Sequence, residues 1–288
     1  MEKQKPLVKN KLSQKITACS LDKDTLHILC NLLQERSYAA GDIEVSNFDK
    51  REQTDEEYEK NKKILKDSFE LRVTVVGKDG EEFFGPVKEV FESPNFPDQI
   101  NSIYINSETV LKANHNWSPR NSFDIFLDFT KPEIFNFSLM PSQATPNNSN
   151  FNVSGYDATW ANGVFNEILK ILSKNKSSFS FLHRHSIYDI FLWFVGYPLA
   201  FWICFKFSPI INQLFGNISV FIKSGAYLYL FIASLFIFRV LFHYGRWIWP
   251  LVEYKCPKDK ALKHRAFFSV LLLSLLGTFI YDLVKHVF

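Results

Sequence analysis

The chain has 288 residues, of which 47% are hydrophobic and 22% are charged. This composition excludes a chain that is disordered throughout, because disordered sequences are poor in apolar residues. The formal net charge of +3 is unevenly distributed, with −3 in residues 1–186 and +6 in residues 187–288. A C-terminal part that is both apolar and basic is typical of membrane helices with cationic flanks.

The N-terminal residues 1–20 are rich in lysine and show no apolar period, which predicts a flexible basic tail. No apolar stretch follows this tail, so a secretory signal peptide is not expected. The four cysteines (Cys19, Cys30, Cys204 and Cys256) have no metal-binding or redox spacing. We therefore expect no disulfide framework, no metal site and no cofactor.

Residues 21–175 predict a soluble α+β domain. Leucines at helical spacing follow Leu21 as far as Gly41, and Thr54 and Glu57 form a capping box for a second helix. Alternation with a period of two then predicts strands. The predicted elements are a first helix ending at Gly41, a strand over 43–48, a helix from 54 to 69, strands over 71–75, 81–85, 100–106 and 122–130, a long loop over 141–154 and a helix over 159–173.

Three apolar segments follow, at residues 187–207, 221–244 and 266–284. Each is long enough to cross a bilayer core, which needs about 20 helical residues. Helices buried in a soluble core are the alternative, but the basic loops and flanking tryptophans favour the membrane. The predicted fold is thus an α+β cytosolic domain followed by an all-α membrane domain of three transmembrane helices.

The flanking charges predict an orientation, because Lys and Arg are retained on the cytoplasmic side. Ten of these residues flank the start of the first segment and the loop between the second and third, whereas three lie on the opposite side. We therefore expect an integral, multi-pass protein of the cell inner membrane, with the N-terminus in the cytoplasm and the C-terminus on the opposite side.

Ionisable residues inside the apolar segments predict charge pairs, because an isolated charge in a membrane is costly. Asp189 and Arg239 or Arg246 are expected at the inner side, and Lys223 and Asp282 at the outer side. Arg239, His243 and Arg246 share one helix face, since their spacing is i, i+4, i+7. The alternatives are that each side chain reaches its nearest headgroup layer, or that the polar face conducts ions or protons.

Two short motifs predict interfacial anchors. His183, Arg184 and His185 stand at the entrance to the first apolar segment, where a basic clamp on anionic headgroups is preferred over a metal site or a pH sensor. Trp247 and Trp249 follow Arg246, and aromatic rings beside a cation are typical of headgroup depth.

No catalytic constellation stands out. The chain contains no P-loop, GxGxxG, GxSxG, HExxH or kinase-type motif, so an enzyme is not favoured. The acidic balance of residues 1–186 disfavours nucleic-acid binding. His115, Trp117 and Arg120 lie close together in a predicted loop and are candidates for a ligand contact, although no spacing supports it.

Two hypotheses of function remain. The first is a ligand- or protein-binding module that the transmembrane helices hold at the bilayer. The second is a sensor-effector that forms oligomers and permeabilises the membrane when its cytosolic domain is triggered. The expected partners are the lipid bilayer and either further copies of the chain or another protein.

Overall fold

The computed structural model describes residues 8–135, 143–177, 179–216, 218–256 and 261–287, with side chains outside 261, 262, 286 and 287. The chain divides into two compact units. Within the described ranges, the α+β unit comprises residues up to Thr130, residues 147–177 and the segment from Val252 to Cys256. The helical unit comprises the remainder, and the two units are described separately.

The α+β unit contains eight strands and five helices in its described part. The strands are β1 (Asn10–Lys15), β2 (Cys19–Asp22), β3 (Arg72–Gly77), β4 (Glu82–Pro86), β5 (Ile100–Asn106), β6 (Asn121–Asp128), β7 (Asn150–Gly155) and β8 (Val252–Lys255). The helices are α1 (Lys23–Ser46), α2 (Asp55–Asp67), α3 (Val87–Glu92), α4 (Thr109–His115) and α5 (Ala158–Lys174).

Six strands form one antiparallel sheet in the order β1-β7-β6-β5-β3-β4. Burial alternates along β3 and β7, as it does in a sheet with one covered face. Val73, Ile125 and Val153 point into the core, whereas Asp124 and Asn152 lie on the opposite face. The α+β class predicted from the sequence is therefore confirmed for this unit.

Helices α1 and α5 supply the other half of the core. Leu26, Leu29 and Leu33 of α1 are fully buried, and each contributes about 1.5–3 kcal/mol through burial. Asp22 caps α1 by accepting a hydrogen bond from the N–H of Thr25 at 2.8 Å. Ile168 of α5 lies in the same core.

Gly41 lies inside α1, although the sequence predicts that it ends the helix and that a strand follows. The helix continues to Ser46, so that strand prediction is wrong. A Cβ atom at Gly41 would lie 2.9 Å from the ring of Phe69. The glycine therefore allows the close approach of Phe69 to the helix.

The N-terminal segment differs from the predicted flexible tail. Its residues Asn10–Lys15 form β1, which pairs with β7, and Cys19–Asp22 form β2. The predicted loop over 141–154 likewise contains all of β7 except its last residue, Gly155. Strands β1 and β7 consist mostly of polar residues, and their few apolar residues lie on one face. This explains why their apolar pattern is weak in the sequence. Residues 1–7 lie outside the described residues.

Strands β2 and β8 form a separate parallel pair, with Cys19 opposite Val252. The hydroxyl of Ser20 donates a hydrogen bond to the carboxylate of Glu253 at 2.7 Å. This pair brings the segment after the second apolar helix back into the α+β unit, a long-range contact that local sequence patterns do not predict.

The helical unit contains three helices that are long and apolar enough to span a membrane, at Ile187–Phe215, Val220–Ile248 and Lys263–Lys285. The first comprises α6 (Ile187–Phe191), a π-helical turn (Leu192–Gly196) and α7 (Tyr197–Phe215). The second is α8 (Val220–Ile248), and the third lies in α9 (Ala261–Val287). A helical turn at Ser180–His183 precedes them.

Aromatic contacts hold the first two of these helices together. The ring centres of Tyr188 and Phe242 are 5.2 Å apart, and those of Phe201 and Phe231 are 4.9 Å apart. A Cβ atom at Gly196 would lie 3.0 Å from Phe238, so the absence of a side chain permits the close approach at the π-helical turn. The apolar windows of the three helices are only 11–17% buried, which leaves most of their surface exposed.

Candidate functional site

The α+β unit contains an open cleft of about 810 Å³, here called the Trp117 cleft. It is lined by the end of α1 and the segment after it, by α2, by the loop after α4 and by Tyr156. A volume of this size lies within the range of about 300–1,000 Å³ that small-molecule sites occupy. His115, Trp117 and Arg120, which the sequence singles out as a loose group, all line it.

The end of α4 determines where Trp117 stands. Asn116 closes the helix in the left-handed conformation with φ 48°, which Asn tolerates better than most residues. Its backbone N–H donates a hydrogen bond to the carbonyl of Lys112. Trp117 follows directly and remains 38% exposed. An exposed indole in a cleft provides a flat surface on which another ring can stack.

A buried carboxylate anchors the same loop. Glu44, 5% exposed near the end of α1, accepts a hydrogen bond from the backbone N–H of Arg120 at 2.5 Å. Its other oxygen lies 3.8 Å from Nε of the half-exposed Arg120 side chain. Burial raises the pKa of Glu44, while the hydrogen bond and the charge of Arg120 act in the opposite direction. Glu44 therefore fixes the position of the loop.

The opposite wall is the segment between α1 and α2. Arg51 has φ 47°, an uncommon left-handed conformation for a long side chain. Tyr58 of α2 supports this segment, because its hydroxyl donates a hydrogen bond to the carbonyl of Phe48 at 2.9 Å and its ring stacks on the Phe48 ring. Strained residues of this kind are concentrated at functional sites.

Cations outnumber carboxylates in the cleft. Three cationic and two acidic side chains line it, namely Lys9, Arg51, Arg120, Glu44 and Asp49. Glu44 is already committed to Arg120, which leaves Lys9 and Arg51 against Asp49. Lys9 stands 5.8 Å from the ring centre of Tyr156. In the described parts of the chain, no three His, Cys, Asp or Glu side chains are grouped as metal ligands would be.

In the helical unit, Arg246 is buried at the C-terminal end of α8, with 3% of its surface exposed. Its Nε donates a hydrogen bond to the carbonyl of Leu182 at 2.8 Å, and Nη1 donates to the carbonyl of Gln143 at 3.4 Å. Its guanidinium lies 5.0 Å from the ring centre of Phe242. The guanidinium of Arg246 thus donates to backbone carbonyls, whereas the sequence predicts a carboxylate as its partner.

His183 is buried beside it. Nε2 donates to the carbonyl of Trp249 at 2.7 Å, so Nδ1 of the neutral ring accepts from the hydroxyl of Thr145 at 2.9 Å. Burial lowers the pKa of His183, and the charge of Arg246 lowers it further, whereas the hydrogen bond to Trp249 raises it. Neutral His183 therefore joins three segments of the helical unit.

Asp189, Arg239 and His243 are the other residues of the predicted inner-side group. Asp189 forms no ion pair with a described residue, so the predicted pairing with Arg239 or Arg246 is not formed. His243 is 4% exposed and lies 6.3 Å from the ring of Tyr188. The i, i+4, i+7 spacing does place Arg239, His243 and Arg246 on one helix, α8.

At the other end of the helices, Asp282 forms an ion pair with Lys206 at 2.6 Å and accepts a hydrogen bond from the indole of Trp202 at 3.0 Å. Lys223 forms no ion pair with a described residue. Lys206 of α7 therefore occupies the place that the sequence predicts for Lys223. The apolar pattern indicates depth along each helix but not which helix faces α9.

The predicted anchors fall into two groups. Arg184 and His185 are exposed, and His185 contacts the hydroxyl of Ser186 at 2.6 Å. Trp247 stacks on Tyr244 at 5.9 Å, and Trp249 stacks on Phe179 at 4.4 Å. Trp249 thus packs inside the helical unit, and its backbone carbonyl accepts the hydrogen bond from His183.

Neither protein-family models nor curated proteins nor solved structures yield a match to this chain.

Proposed function

We propose that this chain is a membrane-anchored binding protein, whose α+β unit takes a small-molecule ligand in the Trp117 cleft. The single observation that carries the proposal is the cleft itself, with an exposed indole, two aromatic neighbours and cations around about 810 Å³. Ligand sites are concave and combine aromatic or apolar walls with polar groups, and polar residues form the majority of this lining.

The helical unit acts as the anchor in this proposal. Its three apolar helices are long enough to span, and their exposed surface suits contact with lipid. The flanking charges favour an α+β unit in the cytoplasm of the cell and a C-terminus on the other side. Pairing of β8 with β2 supports this topology, because it requires the α+β unit and the loop between α8 and α9 to share one side.

Native mass spectrometry of the full chain in lipid nanodiscs tests the proposal. The expected result is a non-lipid mass that dissociates from the wild-type protein and is absent from Trp117→Ala. Ile28→Ala, an exposed position on α1 outside the cleft, is the matched control and should retain that mass. A spectrum with no non-lipid mass, or one that is equal in all three proteins, contradicts the proposal.

The second candidate is an oligomeric effector that permeabilises the membrane. It is favoured by the polar residues His243 and Arg246, buried within an otherwise apolar helix, and by the low burial of all three helices. Membrane potential in cells expressing the full chain tests it. Depolarisation by the wild-type chain that Arg239→Leu abolishes supports the effector, whereas an intact potential at high expression contradicts it.

A further inference from the structure

The linings of the Trp117 cleft indicate the chemistry of its ligand. We infer that the cleft takes a planar aromatic anion, a ring system that carries one phosphate or carboxylate group. This inference rests on the proposed function, since it specifies the ligand of the same cleft.

The aromatic half of the inference comes from two exposed rings in the lining of the cleft. Trp117 is 38% exposed and Tyr156 is 40% exposed, and both line the cleft. An exposed Trp or Tyr ring presents a flat apolar face with a polar edge, and a planar ligand can stack on such a face. A nucleobase is a planar ligand that stacks on exposed aromatic side chains in this way.

The anionic half comes from the charges that the cleft does not neutralise itself. Glu44 is buried and holds the loop of Arg120, so it is not available to a ligand cation. Lys9 and Arg51 are exposed cations of the lining, and Asp49 is its exposed carboxylate, while Glu108 outside the lining also interacts with the charge of Lys9. The net positive charge that remains in the lining matches a ligand with a single anionic group rather than a polyanion.

The backbone at Arg51 supports the assignment. A left-handed conformation at φ 47° costs free energy for a residue with a side chain, and here it occurs in the wall of the cleft. The neighbouring side chains Lys50 and Asp55 form an ion pair with each other, whereas Arg51 lines the cleft. Among the described residues Arg51 forms no ion pair, so its charge is available to an anion in the cleft.

Isothermal titration of the full chain in nanodiscs tests the inference with three probes. Adenosine 5′-monophosphate carries both the ring and the anion, adenosine carries the ring alone, and inorganic phosphate carries the anion alone. The monophosphate should bind at least about tenfold more tightly than either of the others, because it alone makes both the stacking contact and the charge contact.

Variants separate the two contacts. Trp117→Ala should weaken monophosphate binding about tenfold while Trp117→Phe retains most of it, and Arg51→Gln should bring the monophosphate to the affinity of adenosine. Lys88→Gln, an exposed cationic position outside the cleft, is the control for unspecific charge effects.

The outcomes distinguish the ligand class from the proposed function. If none of the three probes binds while the non-lipid mass remains dependent on Trp117, the aromatic-anion inference is overturned and the cleft remains a ligand site. Equal binding of adenosine and its monophosphate also overturns it. If both experiments are negative, the proposed function fails as well.

Discussion

The backbone N–H of Arg120 donates a hydrogen bond to the buried carboxylate of Glu44, across 76 positions of the chain. The contact joins the end of α1 to the loop that carries Trp117. Glu44 belongs to α1 and Arg120 directly precedes β6, so the contact connects two parts of the cleft wall that are distant in sequence. The arrangement of the cleft depends on it.

Replacing Glu44 tests this dependence. Glu44→Ala leaves the N–H of Arg120 without its acceptor and should lower the free energy of unfolding by about 1–3 kcal/mol. Glu44→Gln retains an acceptor oxygen and should lose less. Chemical denaturation of the full chain in detergent measures both, and equal losses would show that the hydrogen bond is not the cause.

The raised pKa of Glu44 adds a pH dependence to the same comparison. The folded state holds the proton more tightly than the unfolded state, so the contribution of Glu44 to stability decreases as pH rises from its ordinary pKa through the raised one. The difference in stability between wild type and Glu44→Gln should therefore change across this window. A difference that does not depend on pH contradicts the assignment.

His183 should act in the opposite sense. Its pKa is lowered in the folded state, so the unfolded state binds the proton more tightly, and stability is lost as pH falls below about 6.5 towards the folded value. His183→Gln cannot take up the proton and should show a smaller loss. Thermal denaturation between about pH 7.5 and pH 5.5 measures the difference, and parallel curves would rule out His183 as its source.

The core of the α+β unit provides a direct stability test. Leu33 is fully buried on α1, and Leu33→Ala should cost about 2–5 kcal/mol through lost burial and the cavity that remains. Ile28→Ala on the same helix is the matched control, because Ile28 is 61% exposed. Equal effects of the two substitutions on the unfolding midpoint would contradict the placement of α1 against the sheet.

A double-mutant cycle tests the ion pair of Lys206 and Asp282. Lys206→Met and Asp282→Asn should each destabilise the helical unit, and the loss from both together should be smaller than the sum by about 0.5–3 kcal/mol. Lys223→Met in place of Lys206→Met should show no coupling with Asp282→Asn. Coupling to Lys223 instead would restore the pairing that the sequence predicts.

The sequence predicts those elements whose pattern is local. The α+β class, helix α5 and strands β3 to β6 follow from apolar periods and capping residues, and so do the three apolar helices. Strand β1 is missed because it is a polar edge strand, and β8 because it pairs across 233 positions with β2. Gly41 is misread as a helix end since its role is to admit Phe69, a contact between distant residues.

The site residues show the same division. Depth along a helix is readable from the sequence, which places Asp282 near one end of its helix and Arg246 near the end of another. The choice of partner depends on which helices face each other. The sequence therefore could not predict that Asp282 pairs with Lys206 instead of Lys223, or that Arg246 donates to backbone carbonyls. His115, Trp117 and Arg120 were close in sequence, but their cleft is completed by Glu44 and Arg51 from elsewhere in the chain.

The most direct test is the protection of the cleft against chemical labelling. Ser118→Cys introduces a thiol at the cleft, in a chain whose partly exposed Cys204 and Cys256 are replaced by serine. Its rate of reaction with a maleimide is measured in inverted membrane vesicles, with and without the small-molecule filtrate of a cell extract. Ser13→Cys, on the exposed face of the sheet outside the cleft, is the control. A membrane-anchored ligand-binding unit predicts slower labelling of Ser118→Cys in the presence of the filtrate and an unchanged rate for Ser13→Cys. Equal rates for Ser118→Cys with and without the filtrate would contradict it.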